Sequence, residues 1–181
     1  MKKAVTIAFI LLLAMAGYAQ DVAKKPKKEK PVKAAKPATA KPCTNLTVNL
    51  KAGTIKGLKA TARMSTIKKK LPCFTGDTEE GSAMNCGGGV FYLNDDFYFY
   101  SGRNYIEIRS KFTGAVSPMV LGVTRTGVKD LLGMPDKQLM YGRIWLYKMP
   151  YGTLRLNFSI EEGCVEIGIH AASPAEVKLC E

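Results

Sequence analysis

The chain has 181 residues, with 27 Lys/Arg against 15 Asp/Glu and a formal net charge of +12 at pH 7. That excess would suit a nucleic-acid binder, but no basic helix, zinc-ligand spacing or RNA-binding aromatic signature accompanies it, which argues against nucleic acid as a partner. The five Cys include no C-x-x-C pair, which argues against both thioredoxin-like chemistry and a zinc site.

Met1-Lys2-Lys3 is a short positive start, 4–16 is a charge-free apolar run, and Gly17-Tyr18-Ala19 puts small residues where a signal peptidase reads. Together these predict a signal peptide over 1–19, cleaved after Ala19. The run is shorter than the ~20 residues a bilayer-spanning helix needs. No later stretch is long and apolar enough to span, and no Cys follows the run to carry a lipid. A soluble mature protein in the periplasm or outside the cell is expected, with disulfides as the default state of its thiols.

Residues 20–42 form a different segment. From Asp21 to Pro42 it holds eight Lys, four Pro and two acids, with Val as its only large apolar type. Such a composition buries too little apolar surface to offset chain entropy, which predicts a disordered tether. In polyproline II it would reach roughly 70 Å. Its charge gives it affinity for anionic cell-wall polymers or lipid headgroups; a plain solvated spacer is the alternative.

Residues 43–181 suit one domain, and with 17 Lys/Arg and 13 Asp/Glu they are only mildly basic. Periodicity shows one unit twice, about 43–116 and 117–181. Met64-Ser65-Thr66-Ile67-Lys68-Lys69-Lys70-Leu71-Pro72 aligns with Arg125-Thr126-Gly127-Val128-Lys129-Asp130-Leu131-Leu132-Gly133. Each has Ser or Thr at a helix start and a Pro or Gly stop. Alternating strands follow, over 89–94, 97–101 and 105–112, then over 143–149, 153–160 and 164–170. The turns between them carry Asn, Asp and Gly, and an extra strand is expected over 46–50. The expected fold is α+β: two tandem repeats of a short helix plus an antiparallel meander, with the helices on one face of the sheet.

The stretch Gly122-Val123-Thr124-Arg125-Thr126-Gly127-Val128-Lys129-Asp130-Leu131-Leu132-Gly133-Met134-Pro135-Asp136, then a Trp145/Tyr147 strand and a strand with Val165-Glu166-Ile167, resembles the repeat of the β-lactamase-inhibitor-protein-like fold. That repeat is shared with the small outer-membrane assembly lipoproteins of the SmpA/OmlA type. The resemblance implies helices on one sheet face and a second face free to bind protein, as an inhibitor or as an accessory of envelope assembly. The chain lacks the lipid-anchor Cys of those lipoproteins.

Strand alternation separates two faces. One, with Phe91, Leu93, Phe97, Phe99, Ile106, Ile108, Ile144, Leu146, Leu154, Leu156, Phe158, Val165, Ile167 and Ile169, reads as core. The other carries Tyr92, Tyr98, Tyr100, Tyr105, Arg109, Trp145, Tyr147 and Arg155, with Glu107, Asn157, Glu166 and His170 among them. Tyr, Trp and Arg are the residue types of interface hot spots, so these eight are the candidate partner-binding residues. Cross-strand packing on a solvated sheet is the alternative.

Among the cysteines, Cys73 and Cys86 flank a polar loop, and Cys164 and Cys180 sit symmetrically about a turn. Those two pairs are the expected disulfides, which leaves Cys43 spare. The chain has one His, His170, and a Ser or Cys nucleophile would need it as a base together with a third, orienting group. Asp95-Asp96 and Glu161-Glu162 read as turn residues, and no metal or cofactor site is expected. The sequence therefore points to an exported, non-enzymatic module that binds an envelope or extracellular protein. The alternative is an envelope-structural protein whose tether grips anionic surfaces.

Overall fold

The computed structural model describes residues 42–81, 85–161 and 163–177. The predicted signal peptide, the tether except Pro42, and Cys180 lie outside the described residues. In chain order the elements are β1 (Thr47–Asn49), β2 (Thr54–Ile55), β3 (Leu58–Lys59), α1 (Met64–Lys70), β4 (Gly76–Thr78), β5 (Gly89–Tyr92), β6 (Phe97–Tyr100) and β7 (Tyr105–Arg109). They continue with β8 (Ala115–Ser117), α2 (Arg125–Leu132), β9 (Lys137–Leu139), β10 (Ile144–Met149), β11 (Gly152–Phe158) and β12 (Cys164–His170).

The fold is mostly β, which corrects the α+β expectation of two helix-plus-meander repeats. The strands form a four-stranded sheet, β3-β2-β1-β8, and an eight-stranded sheet, β4-β5-β6-β7-β12-β11-β10-β9. The physical reason lies in the seams. β7 and β12 pair antiparallel through Ile106↔Ile169 and Ile108↔Ile167, so the two sets of strands share one continuous ladder. The expected strand near 46–50 belongs to a second sheet, in which β1 runs parallel to β8. The helices are only seven and eight residues long, and each has one fully buried side chain, Ile67 and Val128.

The helix caps also differ from expectation. α2 is capped by Thr124, whose hydroxyl accepts a bond from the Gly127 N–H at 3.3 Å. α1 follows Arg63, with no side-chain cap. Lys68, Lys69 and Lys70 fill its last turn, where cations favour the helix dipole.

One apolar cluster draws on both sheets and both helices, including Val48, Leu50, Ile55, Ile67, Val128, Phe97, Phe99, Ile106, Ile167 and Ile169. The hairpin tip between β10 and β11 reaches the β1–β2 turn, where Tyr151 lies against Gly53. A Cβ at Gly53 would fall 2.4 Å from that ring, and its φ of +64 is a second reason for glycine there.

Cys43 bonds Cys73, with a Cα–Cα distance of 5.4 Å. Cys86 is also disulfide-bonded. Cys164 is free and buried. The expected Cys73–Cys86 bridge and the expected disulfide at Cys164 are therefore corrected, and Cys43 is not spare. Loop spacing alone misled here: antiparallel pairing of β4 with β5 already closes the loop after Cys73. The end of α1 instead meets the chain entering β1. No described helix is long and apolar enough to cross a membrane.

Candidate functional site

The large sheet has a core face and an open face. The cross-strand register lays the open face out in rows. One row runs Tyr98, Glu107, Gly168, Arg155, Leu146; the next runs Arg109, Glu166, Asn157, Ile144; a third runs Tyr100, Tyr105, His170, Thr153.

Of the eight candidate residues, Tyr98, Tyr100, Tyr105, Arg109 and Arg155 share this face. Tyr92, Trp145 and Tyr147 do not: all three belong to the core cluster. Phe91 and Leu146 take the places expected for their neighbours, and Ile144 lines the open face with Asn157. Leu93 and Val165, expected in the core, are exposed. The phase slipped because β5 and β10 (GVFY and IWLYKM) are apolar on both sides, so period two has no polar residue to anchor it. Tyr is also at home in a core once its hydroxyl is satisfied. Tyr92 donates to the Leu71 carbonyl at 2.9 Å and Tyr147 to the Gly133 carbonyl at 3.2 Å. Trp145 packs on Phe158 at 4.9 Å between ring centroids.

At the centre of the open face four charges neutralise one another. Arg109 Nε donates to Glu107 Oε1 at 2.6 Å, and Arg155 Nη2 lies 3.7 Å from Glu107 Oε2. Arg155 Nη2 also donates to Glu166 Oε1, which accepts a second bond from Asn157 Nδ2 at 2.7 Å. Gly168 makes this crossing possible. It stands between Glu107 and Arg155, and a Cβ there would meet Arg155 Nε at 2.9 Å and His170 Nε2 at 2.8 Å.

A column of stacked rings borders the charges. Tyr100 lies 4.6 Å from Tyr105, and Tyr105 lies 4.7 Å from His170, with interplanar angles of 19° and 9°. The Arg109 guanidinium sits 4.4 Å above the Tyr98 ring. Burial pushes the Tyr100 phenol up to about 12. Burial, then Arg155, holds the His170 imidazole down at about 3. Burial raises the Glu166 carboxyl, opposed by Arg155.

Above this floor lies a cavity of about 400 Å³ lined by Tyr100, Tyr105, Glu107, Arg155, Asn157 and Glu166. It shares Met140, Ile144, Asn157 and Glu166 with a second hollow of about 550 Å³ that extends to Phe158, Ile160 and Val165. The two make one groove, charged and aromatic at one end and mixed at the other, where Arg143, Ser159 and Glu161 line the hollow beside Met140, Ile144, Phe158, Ile160 and Val165. Met140 is held over it by an unusual turn. Met140, Tyr141 and Gly142 all have positive φ, at 49°, 55° and 81°. For the two non-glycine residues that conformation costs of order 1 kcal/mol or more each. The turn is fixed by the Gly142 N–H to Leu139 carbonyl bond and by Arg125 Nε donating to the Gly142 carbonyl at 3.2 Å. Tyr141 and Ile160 are 108% and 86% exposed beside it.

Sequence reasoning placed Glu107, Asn157, Glu166 and His170 on this face but named none as a site, and it missed Met140, Ile144 and Gly168. The available signal was the spacing by two of Glu107 and Arg109 on β7 and of Arg155 and Asn157 on β11, the two strands that flank β12. Among the described residues no cluster of His, Cys, Asp or Glu could hold a metal ion. No protein-family model, no curated protein and no solved structure matches the chain.

Proposed function

We propose that the chain is an exported, non-enzymatic protein-binding module that engages its partner through the groove on the open face of the large sheet. The observation that carries this reading is the groove itself: a floor of paired charges and stacked tyrosines beside a hollow that includes exposed Met140 and Ile160. Aromatic and Arg anchors beside a fixed polar array are the chemistry of protein interfaces. Cleavage after Ala19 would release the mature form into the periplasm or the medium, where the Cys43–Cys73 bridge would be stable. The Lys-rich stretch 21–42 would hold the module near anionic cell-wall polymers or headgroups. The resemblance to the β-lactamase-inhibitor-protein-like repeat agrees with a partner-binding sheet.

The buried titratable groups favour binding over catalysis. His170 is 4% exposed and held neutral, and the Cys164 thiol is buried and pushed up to about 12, so neither is a ready base or nucleophile at neutral pH. The test is site-specific photo-crosslinking in the cell envelope, with the reactive group at Arg109 or Met140 and a control at Lys59 on β3. A discrete protein adduct from the first two positions and none from the third is the expected result. Adducts from Lys59 alone would sink the assignment.

A further inference from the structure

Charge is unevenly spread along the folded domain. Residues 43–76 hold seven Lys/Arg and no Asp or Glu, whereas 77–181 hold ten Lys/Arg and thirteen Asp/Glu. The first segment supplies β1, β2, β3 and α1. Among the described residues only Lys68 of its seven cations meets a carboxylate, that of Asp77. Lys51, Lys56, Lys59, Arg63, Lys69 and Lys70 are all exposed. Cations with no acid among them repel one another, and a bound polyanion removes that cost.

The fold gathers part of this charge around one hollow. Lys69 and Lys70 end α1, and Lys56 occupies the β2–β3 turn, next to Lys59 on β3. The Lys56 N–H donates to the Thr47 carbonyl at 2.8 Å, which ties that turn to β1, and the Cys43–Cys73 bridge ties the entry of β1 to the end of α1. Lys56 and Lys70 thereby line a hollow of about 360 Å³, with Pro42, Thr44, Pro72 and the bridge itself on its walls. Pro42 is also where the tether joins. Lys30, Lys33, Lys36 and Lys41 continue the series in sequence, and no acid occurs between Glu29 and Asp77.

The composition of the segment selects the occupant. Six of its seven cations are Lys. Lysine binds phosphate as a point charge, whereas planar recognition of carboxylates draws the arginine fork. Among the described residues, no exposed large apolar side chain lies within 43–76, and a helix that lies on a bilayer sets such side chains beside its cations. Phe74 is the segment's only aromatic residue, half-buried with Lys68 Nζ 5.3 Å from its ring centroid, so no platform is offered for stacking bases.

We propose that this basic end of the domain binds a linear phosphate polymer. One phosphate sits in the hollow between Lys56 and Lys70, and its neighbours are taken by Lys59, Lys69 and the lysines before Pro42. The proposal deepens the anionic-surface role given to 21–42: it makes the folded domain part of the grip and selects a polymer over headgroups.

The test measures binding of the mature chain, disulfides formed, to inorganic polyphosphate across a salt series. Lys56→Gln/Lys59→Gln/Lys69→Gln/Lys70→Gln is expected to weaken binding about tenfold or more and to flatten the slope of log K against log salt, since fewer counterions are released. Lys111→Gln/Lys129→Gln/Lys137→Gln/Lys148→Gln removes the same four charges beyond residue 76 and should leave both nearly unchanged. All eight lysines are exposed, so both variants are expected to fold, which thermal unfolding checks. Equal losses in the two variants would make net charge the cause, and an unchanged first variant would leave the grip to the tether. Preference for phosphatidylglycerol vesicles or for single-stranded DNA over polyphosphate would assign the site to a bilayer or a nucleic acid. Each of these results overturns the proposal. Absence of polyphosphate binding in the wild type would remove the tether's polymer role with it, whereas crosslinks at Arg109 and Met140 report a protein partner and stand or fall separately.

Discussion

Gly168 sets what the open face can hold. Any larger residue would drive a Cβ into Arg155 Nε and His170 Nε2, at 2.9 and 2.8 Å. Gly168→Ala is expected to push Arg155 off its carboxylates and lower stability by about 1–3 kcal/mol in urea unfolding, as overpacking does. Arg155 itself balances two carboxylates while nearly buried. Arg155→Met takes from Glu166 its cation and leaves it only the Asn157 amide, while Glu107 keeps Arg109; the loss should cost about 3–5 kcal/mol. Arg109, whose side chain is 45% exposed, should cost about 1 kcal/mol or less as Arg109→Gln. Equal costs would mean that the network is not organised around Arg155. His170 adds a pH signature. Its folded pKa of about 3 lies below the ordinary 6.5, so its contribution is present above pH 6.5 and lost as pH falls toward the folded value. Glu166, raised by burial, acts with the opposite sign: its contribution is full below its ordinary 4.5 and lost as pH rises through the raised value. Unfolding curves from pH 7.5 to 4 should therefore show a His170 component that His170→Gln removes, up to about 1.4 kcal/mol per pH unit. Superimposable wild-type and variant profiles would show that His170 protonates freely in the folded protein.

At the scale of elements, β10 shows how a strand can be legible while its orientation is not. The sequence located β10, β11 and β12 nearly to the residue, because the chain breaks between them at Pro150 and Gly152 and at Gly163. It did not say which way Trp145 points, since Ile144, Trp145, Leu146 and Tyr147 are all apolar. Strands with an alternating charge, such as Glu107 and Arg109 on β7, were assigned to the right face. Five of the eight candidate residues therefore share the open face, and the second hollow was hidden because it joins turn residues such as Met140 and Ile160 to strand residues, Ile144 and Val165, that the alternation had assigned to the core. The phase of β10 has a measurable consequence. Trp145→Ala should cost about 3–5 kcal/mol, as loss of a core aromatic does, whereas an interface tryptophan would be lost at little cost to stability. The disulfides were misassigned because spacing along the chain does not report which ends meet in space. Cys43 and Cys73 are separated by 30 residues and join the entry of β1 to the end of α1.

For the whole molecule that bridge closes a loop around the small sheet's first three strands and α1. The chain-entropy model gives it about 3–4 kcal/mol for this separation. The Cys43→Ser/Cys73→Ser variant should lose that much in denaturant unfolding, and a smaller loss would indicate that the packed sheet already restrains the segment. The order of strands has a further consequence, for when the protein becomes a protein. β12 is inserted between β7 and β11 at the middle of the large sheet, yet β8, α2 and three more strands precede it in the chain. Until it arrives, β7 is a raw edge with no partner on that side, and the pairing that covers it is the most distant in sequence of the large sheet. A chain threaded outward through a membrane from its first residue would thus carry an open sheet edge until its last strand had crossed. Such an edge is a template for pairing with other chains, so the interval between emergence and closure is when this protein would most need an escort.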